Sequence, residues 1–312
     1  MPDYGHKLTF GAFPAPTSSD PRRSVTLAKH AEQVGLDLIA FQDHPYLPQF
    51  LDTWTLLSYV AAATTRIRLA PCVLNLPLRP PAVLARAGAS LDLLSGGRLD
   101  LGLGAGAAVF RDEIEGMGAP HQTPAESVDA LAEAIAILRE LWDTSTGTPV
   151  THTGARYQVN GQRGPAPAHR VEIWLGAYQP RMLRLTGQAA DGWLPSSSYL
   201  PPEGLGAAQT QIDRAADVAG RSPRQIRRLY NISGEICSRS TGFLSGPVEQ
   251  WIGELCELTL TAGISTFILG TDDPSMISRF AMEIAPGVRQ IVSSERGDAS
   301  KQASMSPSDI HS

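Results

Sequence analysis

The sequence predicts an α/β fold, a single (β/α)8 TIM barrel with insertions. Three observations predict it. A short apolar run followed by a helical pattern recurs eight times between residues 8 and 284 of the 312-residue chain. Eight such pairs in about 290 residues match the usual size of that barrel. Hydrophobic residues make up 42% of the chain and charged residues 18%, enough apolar material for one large core. A doubly wound sheet is the competing architecture, but it does not call for this regular eightfold count.

The elements follow in order. Residues 8–13 read as the first strand and 21–34 as its helix, with Asp20 as N-cap and Gly35 as the stop. Residues 36–41 form the second strand, ending in the polar tip Gln42-Asp43-His44-Pro45, and 52–65 the second helix. The third pair is 67–74 and 80–94, with prolines at the helix start. Ser95-Gly96-Gly97 turns into the fourth strand, 98–102, and the longest helical pattern, 125–142, carries Val128, Leu131, Ile135, Leu138 and Leu141. Residues 144–170 break the rhythm and read as an insertion with an edge strand at 157–159. The alternation resumes with strands at 171–177, 192–195, 228–237 and 265–269, and helices at 180–190, 203–219, 248–261 and 274–284. The expected barrel domain is therefore residues 1–292. From 293 to 312 the chain turns polar and is expected to be a mobile tail.

Composition narrows the function. The net charge is −5 and no basic stripe is visible, which argues against nucleic acid as a partner. No apolar run reaches the roughly 18 residues that span a bilayer, and no signal peptide is evident, so a cytoplasmic protein without a membrane partner is expected. The cysteines, Cys72, Cys237 and Cys256, are odd in number and far apart, which argues against a disulfide framework or a metal site. Arginine dominates the 26 basic residues; only Lys7, Lys29 and Lys301 are lysine.

Barrel enzymes carry their chemistry at the C-terminal ends of the strands. Asp43-His44 stands at one such end, and an imidazole there can donate a hydrogen bond or a proton near neutral pH. A capped loop with a surface histidine is the plain alternative. Cys72 has no histidine partner in sequence and reads as a buried structural thiol. Gly102-Leu103-Gly104-Ala105-Gly106 lacks the Gly-x-Gly-x-x-Gly spacing of a dinucleotide fingerprint; small residues there admit a flat ligand or simply pack tightly. Gly176-Ala177-Tyr178-Gln179 precedes a helix beginning near Pro180, whose free amides would suit an anion, with Arg181 as a further donor. Trp174 and Trp193 either line a pocket nearby or fill the core.

Several segments together resemble the bacterial luciferase-like superfamily, whose members use FMN or the deazaflavin F420. They are Gly35-Leu36-Asp37 leading to Asp43-His44, Arg68-Leu69-Ala70-Pro71-Cys72-Val73, and the stretch from Ser95 to Gly106. Ile173-Trp174-Leu175-Gly176-Ala177, Ala190-Asp191-Gly192-Trp193 and Gly263-Ile264-Ser265-Thr266-Phe267 complete the pattern, which covers residues 7 to 290. The resemblance implies a cofactor across the C-terminal mouth of the barrel. Asp43 and His44 would lie beside its ring, with Asp43 orienting either one. Cys72–Val73 aligns with a non-prolyl cis peptide that backs the ring, and Asn75 would meet its polar edge. Ala105 and Gly106 would line it, and Gly176, Ala177, Tyr178 and Gln179 would hold its phosphate.

Two departures matter. Ala107 stands where deazaflavin-dependent sugar-phosphate dehydrogenases carry a glutamate, and the Pro45-Tyr46-Leu47-Pro48 loop lacks their tryptophan, so sugar-phosphate oxidation is not expected. The resulting expectation is an F420-dependent oxidoreductase moving hydride between the deazaflavin and a small organic substrate, with His44 and Asp43 catalytic. The alternatives are an FMN-dependent monooxygenase supplied by a separate reductase, and a degenerate, non-catalytic flavin-binding barrel. Family members are often dimers, and the apolar residues Trp54, Leu56, Leu57, Tyr59 and Val60 predict a homodimer.

Overall fold

A computed structural model describes residues 3–304. Strands β1 (Thr9–Ala12), β2 (Leu38–Phe41), β3 (Arg68–Pro71), β4 (Leu74–Asn75) and β5 (Leu101–Gly104) alternate with helices α1 (Arg23–Gln33), α2 (Thr53–Ala63) and α3 (Pro81–Ser95). Then come α4 (Arg111–Gly116), α5 (Pro124–Trp142), and a hairpin of β6 (Val150–Thr153) and β7 (Gln158–Gly161). The second half contains β8 (Ile173–Leu175), α6 (Pro180–Ala189), β9 (Gly192–Trp193), α7 (Pro202–Val218) and β10 (Arg227–Ile232). It ends with β11 (Glu235–Ile236), β12 (Ser245–Gly246), α8 (Val248–Ala262), β13 (Thr266–Leu269), α9 (Pro274–Arg279) and α10 (Ala285–Ser304).

The main sheet runs β3-β2-β1-β13-β10-β9-β8-β5-β4, with every pair parallel. Its two outer segments are halves of one strand, since β3 ends at Pro71 and β4 begins at Leu74 with a cis Cys72–Val73 peptide between. A further bridge joins Leu69 of β3 to Leu99, just ahead of β5. The sheet therefore closes on itself with eight strand positions, as predicted.

Local chemistry sets the boundaries. Asp52 caps α2 by accepting from Thr55 N at 2.8 Å, and Thr123 and Glu126 form a reciprocal capping box on α5. Gly96 and Gly263 end α3 and α8 in the left-handed conformation that glycine adopts without steric cost. Asp20 does not cap α1: Arg22 holds that position without a side-chain bond. The fourth strand starts at Leu101 rather than 98 because Arg98 turns inward. Its guanidinium bonds the carbonyls of Ala61, Thr64, Ile67 and Ser95 and so satisfies the last turns of α2 and α3.

The core has two layers. Most buried side chains lie between strands and helices; a second cluster fills the barrel itself with Leu38, Ala40, Ala70, Cys72, Trp174, Leu194, Leu229 and Ile268. Trp174 supplies its bulk, and Gly192, its registered neighbour on β9, is bare because a Cβ there would strike the indole. Trp193 and Trp174 thus go to the core; they are 0% and 3% exposed.

The insertion takes a definite form, and two expectations change. The 144–170 insertion is the β6–β7 hairpin. It packs on α5, where Glu133 accepts from the amides of Ala155, Arg156 and Tyr157, and its return strap reaches Asp92 at the end of α3. That places it beside the helices and not at the mouth. The expected tail from 293 continues α10 as far as Ser304, because Val292 is buried and Arg296 pairs with Asp3 at 2.6 Å; residues 305–312 lie outside the described residues. In α2, Leu56, Leu57 and Val60 are consumed by the barrel core and Trp54 packs against it, leaving Tyr59 exposed. The apolar surplus that predicted a homodimer is therefore mostly internal.

Candidate active site

The C-terminal strand ends gather the predicted residues at one rim. His44 follows β2, Cys72–Val73 joins β3 to β4, Asn75 ends β4, Ala105 and Gly106 follow β5, and Gly176–Gln179 follow β8. Val73 packs against the end of β5 and the turn after β8. A Cβ on Gly104 would lie 2.7 Å from its Cγ2 and one on Gly176 3.5 Å from it. Gly102 would collide with the Pro71 carbonyl. Tight packing therefore explains Gly102 and Gly104. Gly106 adopts φ +86°, so the chain turns there as only glycine does readily.

Asp43 is not the group the sequence suggested. Its side chain is fully buried and accepts from Asn75 N at 2.9 Å and from Arg79 Nε and Nη2 at 3.0 and 2.8 Å. It makes no hydrogen bond to His44 among the described residues, so it does not orient the imidazole by direct contact. Arg79 also pairs with Asp52 at 2.7 Å. Burial alone would lower the Arg79 guanidinium; the bonds and charges of Asp43 and Asp52 outweigh it and hold it above its ordinary value. The three groups clamp the ends of β2 and β4 to the start of α2.

His44 is half-buried. Its Nδ1 lies 2.6 Å from Tyr46 Oη, and Nε2 has no hydrogen-bond partner among the described residues. Phe110 packs edge-on at 5.4 Å between ring centroids, and Phe50 lies at 6.4 Å. Burial pushes the imidazole below its ordinary value against a smaller opposing pull from the Asp43 charge, so the ring is neutral at pH 7. The arrangement offers one uncommitted imidazole nitrogen at a partly dehydrated rim.

Cys72 is buried, accepts from Asn231 Nδ2 at 3.0 Å, and its thiol is pushed up to about 12 by burial. It stays protonated and serves as packing and not as a nucleophile. Asn231 also donates to Ser196 Oγ at 3.1 Å, and Tyr178 Oη accepts from Ser196 N at 3.0 Å while its ring meets Tyr199. Trp193 Nε1 donates to Ala177 O, which holds the turn before α6. Gln179 places no side-chain cap on α6 and Pro180 has no N–H, so first-turn amides stay open to an anion. Arg181 does not join them; it pairs with Asp129 on the surface.

The sequence reading missed Arg79, Phe110 and Asn231, and noted Tyr46 only for what it replaced. Tyr46 carried a usable signal, two residues from His44 in a loop bounded by Pro45 and Pro48. Nothing in the sequence marks Arg79 as the partner of a residue 36 positions away.

A family profile described as luciferase-like monooxygenase matches residues 3–240. The chain belongs to the luciferase-like family. The sequence is 35% identical over 192 residues to a phthiodiolone/phenolphthiodiolone dimycocerosates ketoreductase of Mycobacterium tuberculosis, covering 60% of this chain and 48% of that protein. It is 34% identical over 220 residues to a 5,10-methylenetetrahydromethanopterin reductase of Methanolobus tindarius, covering 70% and 63%. The chain thus spans about half the length of the first relative and under two thirds of the second. Among solved structures, an F420-dependent secondary alcohol dehydrogenase in complex with an F420–acetone adduct superposes with a TM-score of 0.76 at 21% identity, covering 91% of this chain and 99% of that one. The long-chain alkane monooxygenase LadA gives 0.77 at 15%, covering 91% and 92%. At such identities these structures show a shared luciferase-like barrel.

Proposed function

We propose that this luciferase-like protein is an F420-dependent oxidoreductase that moves hydride between the deazaflavin and a small organic substrate. The observation that carries the reading is His44: a neutral imidazole at a strand end, one nitrogen held by Tyr46 and the other uncommitted. The names of the ketoreductase and methylenetetrahydromethanopterin reductase relatives support reduction chemistry.

The residues present fit a flat heteroaromatic group with a phosphorylated tail. Asn75 Oδ1 is buried without a partner, and a ring N–H would satisfy it. Cys72, Val73, Ala105 and Gly106 would line the ring; Gly176, Ala177, Tyr178, Gln179 and the open amides of α6 would hold the tail. When bound, the deazaflavin supplies or accepts the hydride. His44 Nε2 hydrogen-bonds the reacting substrate oxygen and carries the accompanying proton. Phe110, Phe50 and Tyr46 surround the His44 ring.

A second reading, an FMN-dependent monooxygenase with a partner reductase, is favoured by the family description. Fluorescence titration of the purified protein with F420 and with FMN separates the two, followed by oxidation of reduced F420 against a panel of ketones. Saturable F420 binding with substrate-dependent oxidation is expected. Retention of FMN alone moves the assignment to the second reading, and retention of neither cofactor overturns both.

A further inference from the structure

The end of the barrel opposite His44 is charged where such barrels are ordinarily packed. The interior cluster includes Ala70, Trp174, Leu229 and Ile268. Side chains along a strand alternate between faces, so the residue two positions earlier on each of these strands also points inward. Those residues are Arg68, Glu172, Arg227 and Thr266, at the N-terminal strand ends. The interior layers of an eight-stranded barrel are usually filled by bulky branched side chains. Here these four residues line a cleft of about 450 Å³, with Leu38 and the Trp174 ring as its apolar wall. That volume falls within the range of small-molecule sites, about 300–1,000 Å³.

The cleft holds more positive charge than negative. Its lining includes five lysine and arginine side chains and three carboxylates. Each carboxylate is already satisfied. Asp100 takes Nε and Nη2 of Arg68, both at 2.7 Å. Glu172 takes Arg227 Nε at 3.1 Å and Trp174 Nε1 at 2.8 Å, and Asp37 takes Phe10 N at 2.8 Å and Arg289 Nη2 at 2.6 Å. Arg170 pairs with Asp191 outside the cleft. Lys7 and Arg66 have no carboxylate partner among the described residues; the Arg66 guanidinium bonds the carbonyls of Glu32 and Leu36.

Three donors converge on one side. Thr266 is registered with Thr9 on β1 and with Leu229 on β10. Lys7 stands two residues before Thr9, and Arg227 two before Leu229. Arg227 Nη1 reaches the Lys7 carbonyl at 3.4 Å, and Nη2 reaches Glu172 at 3.5 Å. Both bonds are long and weak, so its outer N–H groups remain open to a stronger acceptor. Thr266 is 1% exposed, and its hydroxyl is buried without a partner. A buried hydroxyl in that state requires an acceptor.

We propose that this end of the barrel is an oxyanion site in which Lys7, Arg227 and Thr266 bind a phosphate group, free or carried by a small phosphomonoester. The guanidinium offers two N–H groups, the ammonium a point charge, and the Thr266 hydroxyl its proton. The site is remote from His44 and stands whether or not the proposed function does.

Isothermal titration of the whole chain with inorganic phosphate and with glycerol 3-phosphate, at constant ionic strength, tests it. Saturable binding of at least one probe below about 10 mM is expected. Tighter binding of glycerol 3-phosphate makes a phosphomonoester the ligand, and equal or tighter binding of phosphate makes it the free anion. Lys7→Gln and Thr266→Val localise the site. Each is expected to weaken binding about 3-fold or more, while Thr266→Val, which deletes a hydroxyl without a partner, leaves the urea midpoint unchanged or higher. Binding of neither probe overturns the proposal. So does binding that both variants leave intact, since the anion then lies elsewhere, as at the open amides of α6. Lys7 is exposed, so its variant judges the site even if Thr266→Val fails to fold.

Discussion

Arg79→Met tests the clamp beneath the site. Asp43 accepts three hydrogen bonds, and the substitution removes the two from the guanidinium, at 3.0 and 2.8 Å, leaving only the Asn75 amide. Charge-assisted bonds contribute about 1.5–3 kcal/mol each, so two give about 3–6 kcal/mol. Breaking a buried ion pair from one side costs about 3–5 kcal/mol, in agreement. The Asp52 contact adds little, because that carboxylate is 42% exposed. With a urea m-value of about 3 kcal/mol/M, the midpoint should fall by about 1–2 M at pH 7. Asp43→Asn in the same chain removes the stranded charge but keeps an acceptor for Asn75, so the double variant should recover at least about 2 kcal/mol relative to the sum of the singles. Urea titration of all four proteins, followed by tryptophan fluorescence, measures this. A single variant within about 1 kcal/mol of wild type, or strictly additive effects, refutes the argument that Asp43 is a buried charge held by Arg79.

Other expectations follow from the same geometry. His44→Gln should lower turnover about 10²–10⁴-fold with F420 affinity retained, as read by separate binding and steady-state assays. Because burial holds His44 below its ordinary value, wild-type activity should stay level through neutrality and drop only on the acid side of the usual histidine range, in a pH–rate profile. His169 is shifted the other way: the Asp100 carboxylate, 3.9 Å from Nε2, outweighs burial, and the hydrogen bond of Nδ1 to Asp92 at 3.0 Å adds to it. Its contribution to stability is therefore complete below the unfolded value of about 6.5 and is lost as pH rises through the raised folded value, so urea midpoints of wild type and His169→Asn should differ at acid pH and converge at alkaline pH. A thiol reagent should label Cys237 in the folded protein and reach Cys72 and Cys256, both buried, only on unfolding.

The eightfold alternation was legible because most strands are short, mainly apolar runs and most helices carry caps or glycine stops in their own sequence. What escaped were features made by partners distant in the chain. Periodicity reads the third strand as continuous from 67 to 74, and only the family resemblance marked the cis Cys72–Val73 peptide that divides it. Arg98 looks like the first residue of a strand, yet four carbonyls from three other segments draw it into a capping role. At the site, position was easier to read than role. Asp43 and His44 lie adjacent in sequence at a strand end, but only the fold shows that the carboxylate points to Arg79 and the imidazole to Tyr46. The α4 segment that brings Phe110 over His44 was invisible because it is a single short helical turn in a glycine-rich loop.

The clamp of Asp43, Asn75 and Arg79 has a bearing on how such barrels diversify. None of its members comes from the rim segments 111–120 or 197–202, so those stretches can be lengthened, shortened or exchanged while the strand end that carries the histidine stays seated. New specificities can then be sampled by swapping rim loops on an unaltered reaction centre, with one hidden carboxylate as the hub that tolerates the exchange.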